Sequence, residues 1–470
     1  MSASSSVPHV SSPAASSSSN AGADDHAPTL TSGTVLQRAN SEPLTFLSAA
    51  MWLGIALTAF FGPLDLALEA APMQVGLDSR VAFKLGTSAF CALLGFYGLC
   101  FSEHTRRTIV CLPSILIALL LVLTIPSALS GLSSSALPAA MINLCYLVFV
   151  PTCLSRLGLR RFMMAVLAGL TGLMVMAWFL YFVMPQYGAF PELLDDGLIV
   201  IRLGGVAHPN SVGRLAAMGF LIVLYLWTQN GLPTTLSVIL SALMLSALIH
   251  AQSRTATVAV GAGLLVLFAD RLISFAGVMV ATILSLSLML GLLAFALSGG
   301  DESRITDKLV GLVAKSGKAE ELTSGTGRVE IWQKSVSLIA EKPLTGHGFG
   351  AAAILMTDFS QSTHNVLLHS MMLAGVGGGL IMLVLQGWLL SMAFMADNKF
   401  IRSMAAFLLI CGLMEETLLE TFPGAATMFW IACSVYLAMK YLVPTPNDIT
   451  PNPIAATRSA DGSVAVMSNV

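Results

Sequence analysis

Stretches of roughly twenty apolar residues recur along this chain with almost no charge inside them. A segment of that kind leaves no backbone N–H or C=O unsatisfied only if it crosses a bilayer as a helix. Such windows fall near 44–63, 81–101, 108–128, 137–155, 161–184, 208–228, 233–251, 255–270, 272–297, 365–395, 400–419 and 424–443. Only 10% of the 470 residues are charged and 56% are hydrophobic, against about 25% charged in a soluble protein. The expected fold is therefore an all-α polytopic membrane protein of about twelve transmembrane helices, with lipid as its solvent.

The pattern divides the chain into five parts. Residues 1–40 are rich in Ser and Ala, lack the apolar core that a signal peptide needs, and are expected to be a disordered tail. Helices one to nine occupy 41–298, a large polar loop 299–363, helices ten to twelve 364–444, and a second disordered tail 445–470. Arg106, Arg107, Arg156, Arg160, Arg161, Arg271, Lys399 and Arg402 collect in short loops on one side. By the positive-inside rule that side is cytoplasmic, and an even span count puts both tails there too. The large loop and the polar groups discussed next then emerge on the external face. Inside the loop, Val329, Trp332, Val336 and Ile339 have helical spacing and predict an amphipathic helix, stopped by Pro343.

Three polar clusters sit at helix ends on that face. Arg202, backed by Gly204 and Gly205, is either a guanidinium fork for phosphate or an interfacial anchor. Arg254 lies in so tight a turn that it needs an anionic partner or a water-filled cavity; the plainer option is a salt bridge to Glu415 or Glu416. His364 opens the tenth span and can take a proton from a hydroxyl near neutral pH, or merely cap the helix together with Asn365. His208, before Pro209 and Asn210, either caps the sixth span or touches substrate. Arg328 begins the amphipathic helix and either meets substrate or anchors that helix. Glu416, beside Glu415, either orients His364 or pairs with an arginine. The net charge of -2 argues against a nucleic-acid partner, and the seven cysteines have no metal-ligand spacing.

The ordered motifs Arg202-Leu-Gly-Gly-Val-Ala-His208-Pro209-Asn210, Ser253-Arg254-Thr255, Gly327-Arg328-x-x-Ile331-Trp332, Pro343-Leu-x-Gly-x-Gly-x-Gly350 and His364-Asn365 with its glycine-rich helix resemble the bacterial O-antigen ligase and O-antigen polymerase superfamily. The resemblance covers about residues 200–395. It implies an inverting, metal-independent glycosyltransferase of the inner membrane, without a cofactor, acting on the periplasmic side on an undecaprenyl-pyrophosphate-linked glycan. It also implies catalytic roles for Arg202, Arg254 and His364, with Arg328 as a further substrate-binding residue; His208, Asn210, Asn365 and Glu416, from their own positions at the helix ends, are additional candidate substrate-binding residues. The partners implied are that donor, a glycan, lipid or protein acceptor, and membrane lipid. One departure stands out: polymerases are associated with paired R-x10-G arms, and only Arg202 has a glycine, Gly213, at about that distance. A protein O-oligosaccharyltransferase with the same donor, and a non-enzymatic transporter or flippase of a lipid-linked sugar, are the competing readings.

Overall fold

The computed structural model describes residues 45–65, 79–128, 136–193, 199–272, 328–357, 360 and 362–442. Both expected tails, nearly all of the ninth span and the first part of the large loop lie outside these residues.

Among the described residues, helices follow the apolar windows closely. They are α1 (Phe46–Phe61), α2 (Ser79–Phe101), α3 (Glu103–Ile109), α4 (Leu112–Leu123) and α5 (Ala136–Val183), with a strand pair β1 (Ala189–Leu193) and β2 (Ile199–Leu203) after them. Next come α6 (Pro209–Thr228), α7 (Thr234–Ala251), α8 (Arg254–Leu267), α9 (Arg328–Glu341), α10 (Val366–Met395), α11 (Lys399–Met414) and α12 (Ala425–Leu437). The 48-residue α5 is broken at Gly158, where φ is +70°, so two of the expected windows share it. Five helices are long and apolar enough to cross a membrane, or six if α3 and α4, bent by 66°, are joined. The chain is a multi-pass membrane protein. By length and composition the described residues do not reach the expected count of twelve spans: α5 holds two of the windows, α1, α8, α11 and α12 are 16 residues or shorter, and nearly all of the ninth window lies outside the described residues.

One element departs from the all-α expectation. β1 and β2 pair antiparallel, with Phe190 opposite Arg202 and Glu192 opposite Val200. The β-branched run Ile199-Val200-Ile201 favours extended backbone, and the segment is too short and too interrupted by acidic residues to continue as a span. Another expected window, near 400–419, also ends early. Helix α11 stops at Met414, and the following segment to Gly424 is non-helical. That places Glu415, Glu416 and Glu420 beyond the helix end, as the start of a connecting loop.

The core packs α1 and α2 on α5, α6 on α7 and α8, and α8 and α10 on α11. Asn398 and Asn365 cap α11 and α10, each accepting two backbone N–H groups. The amphipathic helix forms as α9 and lies on α10, burying Ile331, Leu338 and Ile339. Val336, expected on the same face, is exposed instead.

The glycine motif after α9 has a structural use. Helix α10 breaks at Ala374 and Gly375, and the Pro343–Gly350 loop enters the break. There the His347 N–H donates to Met372 O at 2.6 Å, Gly348 N–H to Leu373 O at 3.1 Å, and Val376 N–H to Pro343 O at 2.8 Å. The broken helix thus keeps its backbone groups paired. Gly375 has φ +68°, and a Cβ there would stand 2.4 Å from Pro343 O, so only glycine fits.

Candidate functional site

Four helices begin at one place. α6 opens behind His208, whose Nδ1 accepts the Asn210 N–H at 3.3 Å. α8 opens with Arg254 behind Ser253, whose hydroxyl caps Ala256 N–H. α9 opens with Arg328, and α10 opens behind Asn365. Each start carries partial positive charge from its unpaired N–H groups, so together they favour an anion. The C-terminal end of α11 adds the opposite sign by delivering Glu415.

Two cavities meet here. The larger, about 530 Å³, is lined by residues that include Asp65, Phe190, Arg214, Glu416 and Glu420. The smaller, about 200 Å³, is lined by Arg254, Arg328, Asn210, Glu192 and the Gln252–Ser253 turn, among others. His208 and His364 line both, which puts the two imidazoles at the junction.

Glu415 connects the groups around that junction. Its Oε1 accepts from Arg328 Nη2 and from Asn210 Nδ2, each at 3.0 Å, and its Oε2 lies 3.2 Å from His364 Nδ1. With Nδ1–H turned to the carboxylate, Nε2 of His364 is left to accept, and the Ser360 hydroxyl sits 3.2 Å from it. Glu416 holds the backbone beside the same imidazole. Its Oε1 accepts from Thr363 N–H at 2.9 Å and Thr363 Oγ1 at 3.1 Å, and is 3.0 Å from His369 Nδ1. His364 itself has φ +50°, a left-handed conformation that a non-glycine residue keeps only where its surroundings hold it.

The electrostatics follow from these contacts. Burial by itself would raise the Glu416 pKa. The nearby His369 charge, with hydrogen bonds from His369, the Thr363 N–H and Ser362, outweighs it and brings the value down to about 2. His208 moves the other way from a free imidazole. Its crowded surroundings, then the Arg202 charge, lower it to about 4, so it is neutral at physiological pH. Since its Nδ1 accepts the Asn210 N–H, the proton sits on Nε2.

The structure distributes the expected site residues unevenly. His364, Arg254, Arg328, His208, Asn210 and Glu416 all line one cavity or both. Arg202 stands behind the wall. It is 2% exposed, and its guanidinium donates to Ala251 O through Nε at 2.9 Å and Nη2 at 2.7 Å, to Glu192 through Nη1 at 2.6 Å, and to Asn210 Oδ1 at 2.7 Å. Gly213 serves the same turn, since a Cβ there would lie 2.6 Å from Ser253 Cβ. The Arg202–Gly213 spacing therefore clamps the bend that presents Arg254. Asn365 is a cap: its Oδ1 accepts from Leu367 and Leu368 N–H, its Nδ2 donates to Leu413 O, and it lines neither cavity.

Arg214 is the residue that sequence reading missed. It lies one turn into α6, donates to the Glu416 carbonyl and pairs with Glu420 at 2.6 Å. The available signal was a lone arginine inside an apolar helix, which always needs a partner. Among the described residues, no group of three or more His, Cys, Asp or Glu is placed to hold a metal ion.

Residues 239–383 match the family model described as O-Antigen ligase. The match runs from within α7 into α10 and contains Arg254, Arg328 and His364 with the glycine loop between them. Over these residues the chain is similar to the O-antigen ligase family. No curated protein matches it. The matched segment supplies two arginines and the histidine. The surrounding frame of Arg202, His208, Asn210, Arg214 and the glutamates comes from outside the matched residues.

Proposed function

We propose that this protein is an inverting, metal-independent glycosyltransferase. It moves or polymerises a glycan carried on undecaprenyl pyrophosphate, at the periplasmic face of the inner membrane, with both termini cytoplasmic. The observation that carries this reading is the junction. Arg254 and Arg328 share one cavity with His364, and His364 also faces a second, larger cavity.

In this scheme the diphosphate occupies the smaller cavity, between the two guanidinium groups and the helix starts. As the bond from sugar C1 to the diphosphate oxygen breaks, its electron pair leaves with the diphosphate. Fixed cations that meet this growing charge stabilise the transition state more than the ground state. The acceptor hydroxyl attacks C1 from the opposite face, so configuration inverts. Its proton passes to His364 Nε2, while Glu415 holds Nδ1–H and stabilises the imidazolium. Arg202 acts one step removed, by fixing the turn that aims Arg254 and by orienting Asn210. His208, Asn210 and Glu416 complete the walls, and Asn365 sets the direction in which α10 begins.

Transfer to a protein acceptor uses the same donor chemistry. Transport fits less well, because Arg254 and Arg328 stand at helix starts and not in the middle of broken spans. The deciding experiment incubates the purified full-length protein with a lipid-linked glycan and glycan, lipid and peptide acceptors. The expected result is glycan on an acceptor with release of undecaprenyl pyrophosphate, absent in a folded His364→Ala variant. Movement of intact donor across proteoliposomes, with no bond broken, would replace this reading by transport.

A further inference from the structure

The loop after α11 carries three glutamates, and each has a basic side chain within 3.0 Å that comes from a different helix. Glu415 pairs with Arg328 of α9, Glu420 with Arg214 of α6, and Glu416 with His369 of α10. The first two partners are arginines, charged at any pH the protein meets. The third is a histidine one turn inside an apolar helix, and it lines neither cavity.

His369 is 8% exposed, and both of its ring nitrogens face groups that accept. Nδ1 stands 3.0 Å from Glu416 Oε1, and Nε2 lies 3.2 Å from the Leu419 carbonyl. A lone pair on Nδ1 would face an ionised carboxylate, and one on Nε2 would face the carbonyl oxygen. Each nitrogen therefore carries a proton, and the ring is an imidazolium. A cation in such a helix is costly unless paired, and Glu416 is the pair.

Both partners of the ring sit beside strained backbone. Glu416 Oε1 accepts the Thr363 N–H at 2.9 Å, and the next residue is His364 with φ +50°. Leu419 itself has φ +65°. Non-glycine residues keep such angles only where their surroundings hold them. The loop has other supports, from Asn143 to Glu420 O at 3.0 Å and from Trp430 to Thr417 Oγ1 at 2.9 Å. The Glu416 carboxylate takes its other hydrogen bonds from Thr363 and Ser362, the segment it holds, and His369 is what ties it to a helix.

We propose that His369 is a positioning residue for the transfer step. Held in α10, it fixes the Glu416 carboxylate and the Leu419 carbonyl, and through them the Thr363–His364 backbone that keeps the His364 imidazole at the junction. This rests on the transferase reading above. A shift of about 1 Å in a reacting group can cost about 100-fold in rate. Losing the tether is therefore expected to lower kcat and to leave donor KM, set by Arg254 and Arg328, nearly unchanged.

The test uses full-length protein in nanodiscs with a lipid-linked glycan donor, and counts release of undecaprenyl pyrophosphate per folded molecule. His369→Phe keeps a ring and removes both donors; it is expected to lower kcat by about 10- to 100-fold at nearly constant donor KM. His369→Gln restores an NH2 group able to reach Glu416 and is expected to recover most of that loss, which a side chain that only fills space would not show. On a Glu416→Gln background, His369→Phe should cost little more than Glu416→Gln alone, because the two residues act as one unit. That double variant leaves no unpaired carboxylate, so it carries the test if His369→Phe alone does not fold. A folded His369→Phe protein within about twofold of wild type, a glutamine variant no better than phenylalanine, or losses that simply add would each overturn the proposal. So would a neutral His369 ring at neutral pH in nitrogen NMR spectra of histidine-labelled protein, a measurement that needs no turnover. Wild-type protein that turns over donor with no acceptor, water included, overturns the transferase reading and this role with it.

Discussion

Replacing Glu415 by Gln removes one negative charge and almost no volume, which makes it a sharp probe of the junction. The wild-type carboxylate accepts from Asn210, Arg328 and His364. A glutamine can keep its carbonyl oxygen on Asn210 and Arg328, but it presents an NH2 group to His364 Nδ1 where an acceptor is required. The carboxylate–imidazole bond is therefore lost, and a hydrogen bond to a charged group is worth about 1.5–3 kcal/mol. At 1.36 kcal/mol per tenfold, that becomes a fall in kcat of about 10- to 150-fold. The bond matters most when His364 carries the transferred proton, so donor KM should move little while kcat drops. The assay is steady-state release of undecaprenyl pyrophosphate by purified protein, with thermal unfolding recorded beside it to show that the variant is folded. Turnover within about twofold of wild type, in a folded Glu415→Gln protein, would refute the view that this carboxylate orients and supports the imidazole.

Other perturbations separate residues that touch substrate from residues that hold them. Arg254→Ala and Arg254→Lys should both abolish surface glycan, because an ammonium cannot reproduce the two-pronged contact with a diphosphate; normal glycan in the lysine variant would contradict that role. Arg202→Lys should lower the unfolding temperature as well as activity, since it leaves the Ala251 carbonyl and Glu192 without their buried partner; an unchanged unfolding temperature with raised donor KM would return Arg202 to direct substrate contact. Glu416 has a folded pKa near 2, below its ordinary value of about 4.3, so its contribution is complete above that range and lost as pH falls through it. Unfolding temperatures of wild type and Glu416→Gln should stay apart at neutral pH and converge as pH drops from about 4.3 towards 2. Activity is expected to survive EDTA, with the arginines and helix starts meeting the charge of the leaving group; loss that a divalent ion restores would count against this.

Apolar runs and charge scarcity were enough to place this chain in the membrane, and helix-end polar clusters to single out a candidate site, because hydropathy and caps are local properties. The helix starts at Pro209, Arg254, Arg328 and Val366 were legible in the same way, from Ser, Asn, His and Pro at their boundaries. The family resemblance was carried by short motifs whose order survives in a single sequence. What each motif residue does was a different matter. Arg202 and Arg254 look alike in sequence, yet one is buried against the Ala251 carbonyl and the other lines a cavity. Asn365 looks like a substrate group and is a cap, while Arg214 looks like part of a span and lies on the wall. A guanidinium's role depends on which acceptors are within about 3 Å, and some of them, the Ala251 carbonyl for Arg202 and Glu420 for Arg214, come from segments 49 and 206 positions away in the chain. Sequence alone thus determined the solvent, the helices and the chemistry on offer. Tertiary packing decided which donors were already committed to protein partners, because only folding brings distant backbone carbonyls and carboxylates within hydrogen-bond reach.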